Sequence, residues 1–126
     1  MKKTGMMWGL CVAMGLSAIS FAGERFSSSV FVNTTTRAFS GNLGTARNSS
    51  DGVQYLWCST VSTGAGFCYA KDASGVAASC STSDAEMVAT IRALNSDSNL
   101  QVSYDSTGTC TFIWVSTGSH FETKGP

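Results

Sequence analysis

Charge is scarce in this sequence. Lys, Arg, Asp and Glu make up 13% of its 126 residues, with eight basic residues against eight acidic ones. That is about half the usual quarter. With no clustered basic face, the chain lacks the electrostatic footprint of a nucleic-acid binder. At 43% hydrophobic it is too apolar for a wholly disordered tail. Histidine occurs once, as His120 between Ser119 and Phe121. A serine or cysteine hydrolase of the usual kind needs a histidine held by a third group beside a nucleophile, whereas His120 reads as a solvated residue of a strand exit. No C-x-x-C spacing is present, which disfavours zinc ribbons and thioredoxin-like redox motifs. Gly64-Ala65-Gly66 and Gly41-Asn42-Leu43-Gly44 do not spell a phosphate loop, and no lysine follows them. The single proline is the last residue.

The carboxylates are claimed by local structure. Asp72 and Asp105 open turns, Asp84 and Glu86 fall in the first turn of an expected helix, and Asp97 follows its end. Each of these five already has a structural task, which disfavours a glycosidase pair. Asn95, Asp97 and Asn99 alternate like oxygen ligands, but the rest of an EF-hand loop and its closing glutamate are missing. The run reads as an Asx-rich turn, and no metal or cofactor is expected.

What is present points to export. Met1-Lys2-Lys3 supplies a positive start, Met6 to Ile19 is uncharged and mostly apolar, and Ser20-Phe21-Ala22 places small residues where a signal peptidase requires them. Residues 1–22 are expected to be a signal peptide cut after Ala22. Gly9 and Gly15 dilute the apolar run, which falls short of the ~20 residues a bilayer needs. Cys11 lies in mid-segment behind Trp8-Gly9-Leu10 and does not fit a lipobox. After cleavage six basic and eight acidic residues remain, no membrane span is expected, and the product is read as periplasmic or secreted.

Four cysteines then remain: Cys58, Cys68, Cys80 and Cys110. An even number in a small exported chain reads as two disulfides. Residues 23–50 form a Ser/Thr/Asn/Gly-rich arm or edge strand, with strand propensity at Val30 to Thr36. Residues 51–126 form a disulfide-stabilised domain. Val53 to Thr60 is a strand, and Gly64 and Gly66 mark a loop. Asp72-Ala73-Ser74-Gly75 and Asp105-Ser106-Thr107-Gly108 share the spelling D-x-[ST]-G, which suits a type I turn closed by glycine in the left-handed region. Counting outward from the first turn sets Cys68 opposite Cys80. From the second, Tyr104 faces Cys110, Val102 faces Phe112 and Leu100 faces Trp114, while Ser103 faces Thr111 and Gln101 faces Ile113. Opposed strand residues can carry a disulfide, so Cys68–Cys80 with Cys58–Cys110 is the expected pairing. Between the hairpins, Ser83 and Glu86 spell a capping box for a helix over Asp84 to Leu94, with Met87, Val88, Ile91 and Leu94 on one face. The fold class is α+β: an antiparallel sheet of about five strands (strand, hairpin, helix, hairpin) with one helix packed on a face.

Ala46 to Asp51 leading into Gln54-Tyr55 and Cys58, then Gly66-Phe67-Cys68-Tyr69-Ala70, Ser79-Cys80-Ser81-Thr82 and Gly108-Thr109-Cys110-Thr111, resemble a group of small exported proteins of Gram-negative bacteria with no assigned activity. The resemblance covers about residues 40 to 118. It implies the disulfide framework and nothing about chemistry.

If Cys58 points inward, strand alternation turns Tyr55 and Trp57 outward. The first hairpin, with Cys68, Ala70, Val76, Ala78 and Cys80 inward, likewise sends Phe67 and Tyr69 outward. Four aromatics on the face away from the helix have two readings. Either the 23–50 segment covers them with Phe26, Val30, Val32 or Phe39, or they form a docking surface for a protein or glycan partner of the envelope. The functional expectation is an exported, non-enzymatic binding domain. Its rivals are a small secreted hydrolase using carboxylates or His120, and a fibre or surface-layer subunit assembled through the N-terminal arm.

Overall fold

The computed structural model describes residues 23–125. The expected signal peptide lies outside the described residues. The elements run β1 (Phe31–Asn33), β2 (Ala38–Asn42), α1 (Leu43–Asn48), β3 (Tyr55–Val61), β4 (Ala65–Lys71), β5 (Ala77–Thr82), α2 (Ala85–Arg92), β6 (Ser98–Tyr104) and β7 (Cys110–Thr117). The class is α+β and mostly antiparallel, but the sheet of about five strands is replaced by seven strands in two sheets. One sheet has the order β1-β2-β6-β7 and the other β3-β4-β5. Two short helices accompany them.

The three-stranded sheet is a meander held by local turns. Gly64 takes φ 88° in the turn after β3 and its N–H donates to the Val61 carbonyl, so the loop is three residues long. Gly66 is not loop but strand. A Cβ there would stand 2.6 Å from Ile91 Cδ1, so this glycine makes the seat for α2. The Asp72 turn forms as expected: Asp72 N–H donates to the Val76 carbonyl, Gly75 N–H to the Asp72 carbonyl, and Gly75 has φ 85°. From it the register runs through Tyr69↔Ser79 to Cys68↔Cys80. Val76, expected inward, is exposed at the turn.

The other sheet draws on both ends of the chain. Segment 23–50, expected as an arm or edge strand, supplies β1 at the edge and also β2, which pairs with β6 inside the sheet. Val30, Val32, Phe39 and Ala46 share one core with Leu56, Cys68, Ala70, Cys80, Ile91, Leu100, Val102 and Cys110. The inner faces of the two sheets therefore meet.

The β6–β7 hairpin departs from the expected register. Its Asp105 turn is as expected, with Asp105 N–H donating to the Thr109 carbonyl and Gly108 at φ 83°, and Tyr104 faces Cys110. Then a β-bulge intervenes: Ser103 faces Phe112, Val102 faces Ile113 and Leu100 faces Val115. Thr111 is the extra residue. A one-residue slip exchanges the two faces of a strand, so Ile113 and Val115 pack on the core while Phe112 and Trp114 stand exposed.

Both disulfides differ from the expected pairing. They are Cys58–Cys68 and Cys80–Cys110. The register Cys68↔Cys80 is present, yet Cys68 is the middle member of a row, with Cys58 opposite it on β3. Cys68 bonds that neighbour, across a Cα–Cα distance of 4.1 Å. Cys80 is thereby left to reach the other sheet at Cys110. Beside that staple the Ser81 N–H donates to the Gly108 carbonyl, joining β5 to the start of β7. Two disulfides indicate an oxidising environment.

α2 begins one residue later than the capping box implies. Asp84, not Ser83, is the N-cap, its carboxylate accepting from the Met87 N–H at 3.0 Å. Thr82 Oγ1 accepts from the Asp84 N–H and fixes the entry. Val88 and Ile91 are buried and Met87 and Leu94 half-buried, the expected face. No helix among the described residues is long and apolar enough to cross a membrane.

Candidate binding surface

The outward side of β3–β5 follows from alternation. Because Leu56, Cys68 and Ala70 are buried, Tyr55, Trp57, Phe67 and Tyr69 point the other way, as expected. Trp57 stands directly opposite Tyr69, with the two rings stacked at 6.1 Å between centroids. Tyr55 meets both edge-on, at 6.5 Å from Trp57 and 5.8 Å from Tyr69. Phe67, 41% exposed, lies one pleat along, between Ser59 and Ser81 in the cross-strand row. Trp57, Phe67, Tyr69, Ser59, Ser79 and Ser81 line a shallow trough of about 490 Å³. Aromatic faces thus alternate with hydroxyl groups, and the only charged side chain of these three strands is Lys71 at the end of β4.

The 23–50 segment does not cover these rings. Val30, Val32 and Phe39 go into the core between the sheets, and Phe26 pairs edge-on with Phe121. Tyr55 remains 54% exposed. Offset and edge-on aromatic packing contributes stability beyond area burial, so the three rings hold one another in place without a cover.

The bulge creates a second aromatic face that sequence reasoning missed. On the outer side of the four-stranded sheet, Phe31, Ser40, Gln101 and Trp114 form one cross-strand row, and Phe112 stands over Ser103. Phe31, Phe112 and Trp114 are each at least half exposed. Nothing in the local spelling marks Thr111 as the extra residue, and without it Phe112 and Trp114 count as core.

The remaining candidates are engaged elsewhere. Asp72 and Asp105 each accept backbone N–H groups of their own turns. The Asp105 carboxyl lies below the usual carboxylate range, chiefly through the Thr107 hydroxyl and the Thr109 and Thr107 amides. Asn95 Oδ1 accepts from Asp97 N–H and Ser98 Oγ, while the Asn99 amide donates to Asn42 at 2.6 Å; the alternating run does not converge on a common point. The His120 ring packs tilted against Phe121, at 4.2 Å between centroids. Ser27 Oγ nearby donates to Glu122, so serine, histidine and carboxylate do not line up as a relay. Glu122 also accepts from Asn48 and Thr45, and these donors hold its carboxyl below the usual range.

Compared with protein-family models, with curated proteins and with solved structures, the chain shows no match.

Proposed function

We propose that this chain is an exported, non-enzymatic binding domain whose ligand is a glycan of the cell envelope or of the extracellular surroundings. The observation that carries the proposal is the open, self-packed cluster Tyr55–Trp57–Tyr69, continued by Phe67 and edged with serines. An outward cluster of rings, Tyr55 and Phe67 exposed and Trp57 and Tyr69 half-buried, is an unusual use of a small domain's surface unless something docks on it. A shallow trough with aromatic walls and a hydroxyl border suits sugars. Pyranose C–H faces lie on rings, and ring hydroxyls exchange hydrogen bonds with Ser59, Ser79 and Ser81. A protein partner is the alternative occupant, favoured less because the trough is shallow and hydroxyl-lined instead of offering a deep apolar pocket.

The N-terminal pattern of residues 1–22, the disulfides and the resemblance to small exported proteins support a periplasmic or secreted location. The test is retardation of the mature protein in gels containing soluble polysaccharides, with Trp57→Ser as the variant. Expected are lost retardation and a melting temperature within a few degrees of the parent. A variant that unfolds by several kcal/mol would make Trp57 a core residue and end the proposal. Unretarded parent protein on every glycan would do the same.

A further inference from the structure

The outer side of the four-stranded sheet repeats the chemistry of the Trp57 trough. Its row Phe31–Ser40–Gln101–Trp114 crosses all four strands, a span of about 14 Å at ordinary strand spacing. Ser40 and Gln101, with Phe31, Ser103 and Phe112, line a hollow of about 170 Å³. The same two residues also border a trough of about 410 Å³ walled by Trp114, Phe26 and Phe121. The two hollows therefore adjoin across the middle of the row, with rings on both flanks and neutral polar groups between them.

Those polar groups decide what can dock there. Ser40 and Gln101 are half-buried, and among the described residues no protein group bonds the Ser40 hydroxyl or the Gln101 amide. No buried side-chain polar atom lacks a partner, so both stay open to water. A dry contact with a second sheet would bury them unpaired, at a cost in free energy. A sugar lays its C–H face on the rings and exchanges hydrogen bonds with the amide and the hydroxyls. Charge is missing as well. β1, β2, β6 and β7 contain no charged side chain, and none lines the Trp57 trough. Glu24 and His120 enter the larger hollow only from outside the strands.

We propose that this face is a second glycan site centred on Trp114, and that the domain is bivalent, each face holding one chain of an uncharged polysaccharide. This rests on the glycan reading above and adds a second site, the neutrality of the ligand and the bridging of two chains. The inner faces of the sheets are packed together, so the two sites point away from each other and one molecule links separate chains. Cys80–Cys110 joins the sheets, so a pull on one chain passes to the other through a covalent bond.

The expected mature chain holds two tryptophans, one on each face. Indole N–H resonances of an isotope-labelled sample therefore read the two sites separately. The probes are cello-, xylo- and manno-oligosaccharides, with oligoalginate as the acidic control. Expected is that at least one neutral probe shifts both indole signals. Trp57→Ser should leave the Trp114 signal responsive, Trp114→Ser the Trp57 signal, each with a melting temperature within a few degrees of the parent. Either variant should lose about 100-fold in apparent affinity for a dense immobilised form of the same polysaccharide. Should Trp114→Ser melt early, Phe31→Ser at the exposed sheet edge should weaken the Trp114 response alone. A response at Trp57 alone, or to oligoalginate alone, overturns the bivalent proposal and leaves the glycan reading standing. So does a parent dimer in sedimentation that Trp114→Ser abolishes, which would make this face a contact between copies. A response at Trp114 alone overturns both the bridging and the Trp57 site, and silence of both indoles with every probe overturns the two readings together.

Discussion

The two sheets are built from the chain in opposite ways. β3, β4 and β5 are consecutive, joined by short turns, and bonded internally by Cys58–Cys68, ten residues apart. The four-stranded sheet brings β2 to β6, where Asn42 and Asn99, 57 positions apart, share a buried amide hydrogen bond. The difference teaches where each sheet finds its support. Local turns and a local bond set the order of the smaller one. The larger one is assembled by pairings distant in sequence and is tied to the smaller by the Cys80–Cys110 bond spanning 30 residues, while the core and α2 serve both sheets.

The disulfides offer the largest way to break that contrast. Loop-closure entropy assigns roughly 4 kcal/mol to the longer bond and roughly 3 kcal/mol to the shorter. Urea titration should therefore find Cys80→Ala/Cys110→Ala less stable than Cys58→Ala/Cys68→Ala. The reverse order would mean that the larger sheet holds without its staple. Tryptic digestion without reductant checks the pairing itself: cleavage at Arg47 and Lys71 should free residues 48–71 with an internal bond, while the Cys80 and Cys110 peptides stay joined.

Next in size is α2. Ile91→Ala removes the side chain seated on Gly66 and should cost about 2 to 4 kcal/mol. Asp84→Ala removes the cap and should cost about 1 kcal/mol. Ser83→Ala should stay within about 0.5 kcal/mol as an ordinary surface change. A ranking with Ser83 above Asp84 would restore the capping box.

The smallest effect is pH dependence. Asp51, Asp105 and Glu122 all have folded pKa values below those of free carboxyls. Their contribution is complete above the unfolded value of about 4 and is lost as pH falls through the folded values, for Asp51, hydrogen-bonded by Gln54 and Val53, about 2. Melts at descending pH should show falling stability in that window, with a shallower decline for Glu122→Gln. A flat profile down to pH about 2 would remove these groups from the account.

Legibility follows the same division. Features set by a few consecutive residues were readable: both D-x-[ST]-G turns, the Cys68↔Cys80 register, and the apolar face of α2. The outward placement of Tyr55, Trp57, Phe67 and Tyr69 was readable too, because alternation needs only one inward residue per strand. What failed depended on an extra or displaced residue. Thr111 reverses Phe112 and Trp114 without any compositional mark. Gly66 reads as loop in the sequence because a glycine's seat-making role appears only once Ile91 lies above it. The cap moved by one because Ser83 and Asp84 are both able caps, and Thr82 decides between them. The disulfide pairing failed for a different reason. The register was right, but a middle strand has two neighbours.

That row of three cysteines has a consequence for how the chain matures. Cys58, Cys68 and Cys80 stand side by side across adjacent strands, so a thiolate on either flank can attack a bond formed by the other through a mixed disulfide. Oxidation that begins with Cys68–Cys80 is therefore not a dead end. Cys58 can displace Cys80 in place, releasing it towards Cys110, without unravelling the sheet. Reshuffling becomes a short relay along one line of sulfur atoms, drawn towards the native pairs by Cys110, the one cysteine among the described residues that stands in the other sheet.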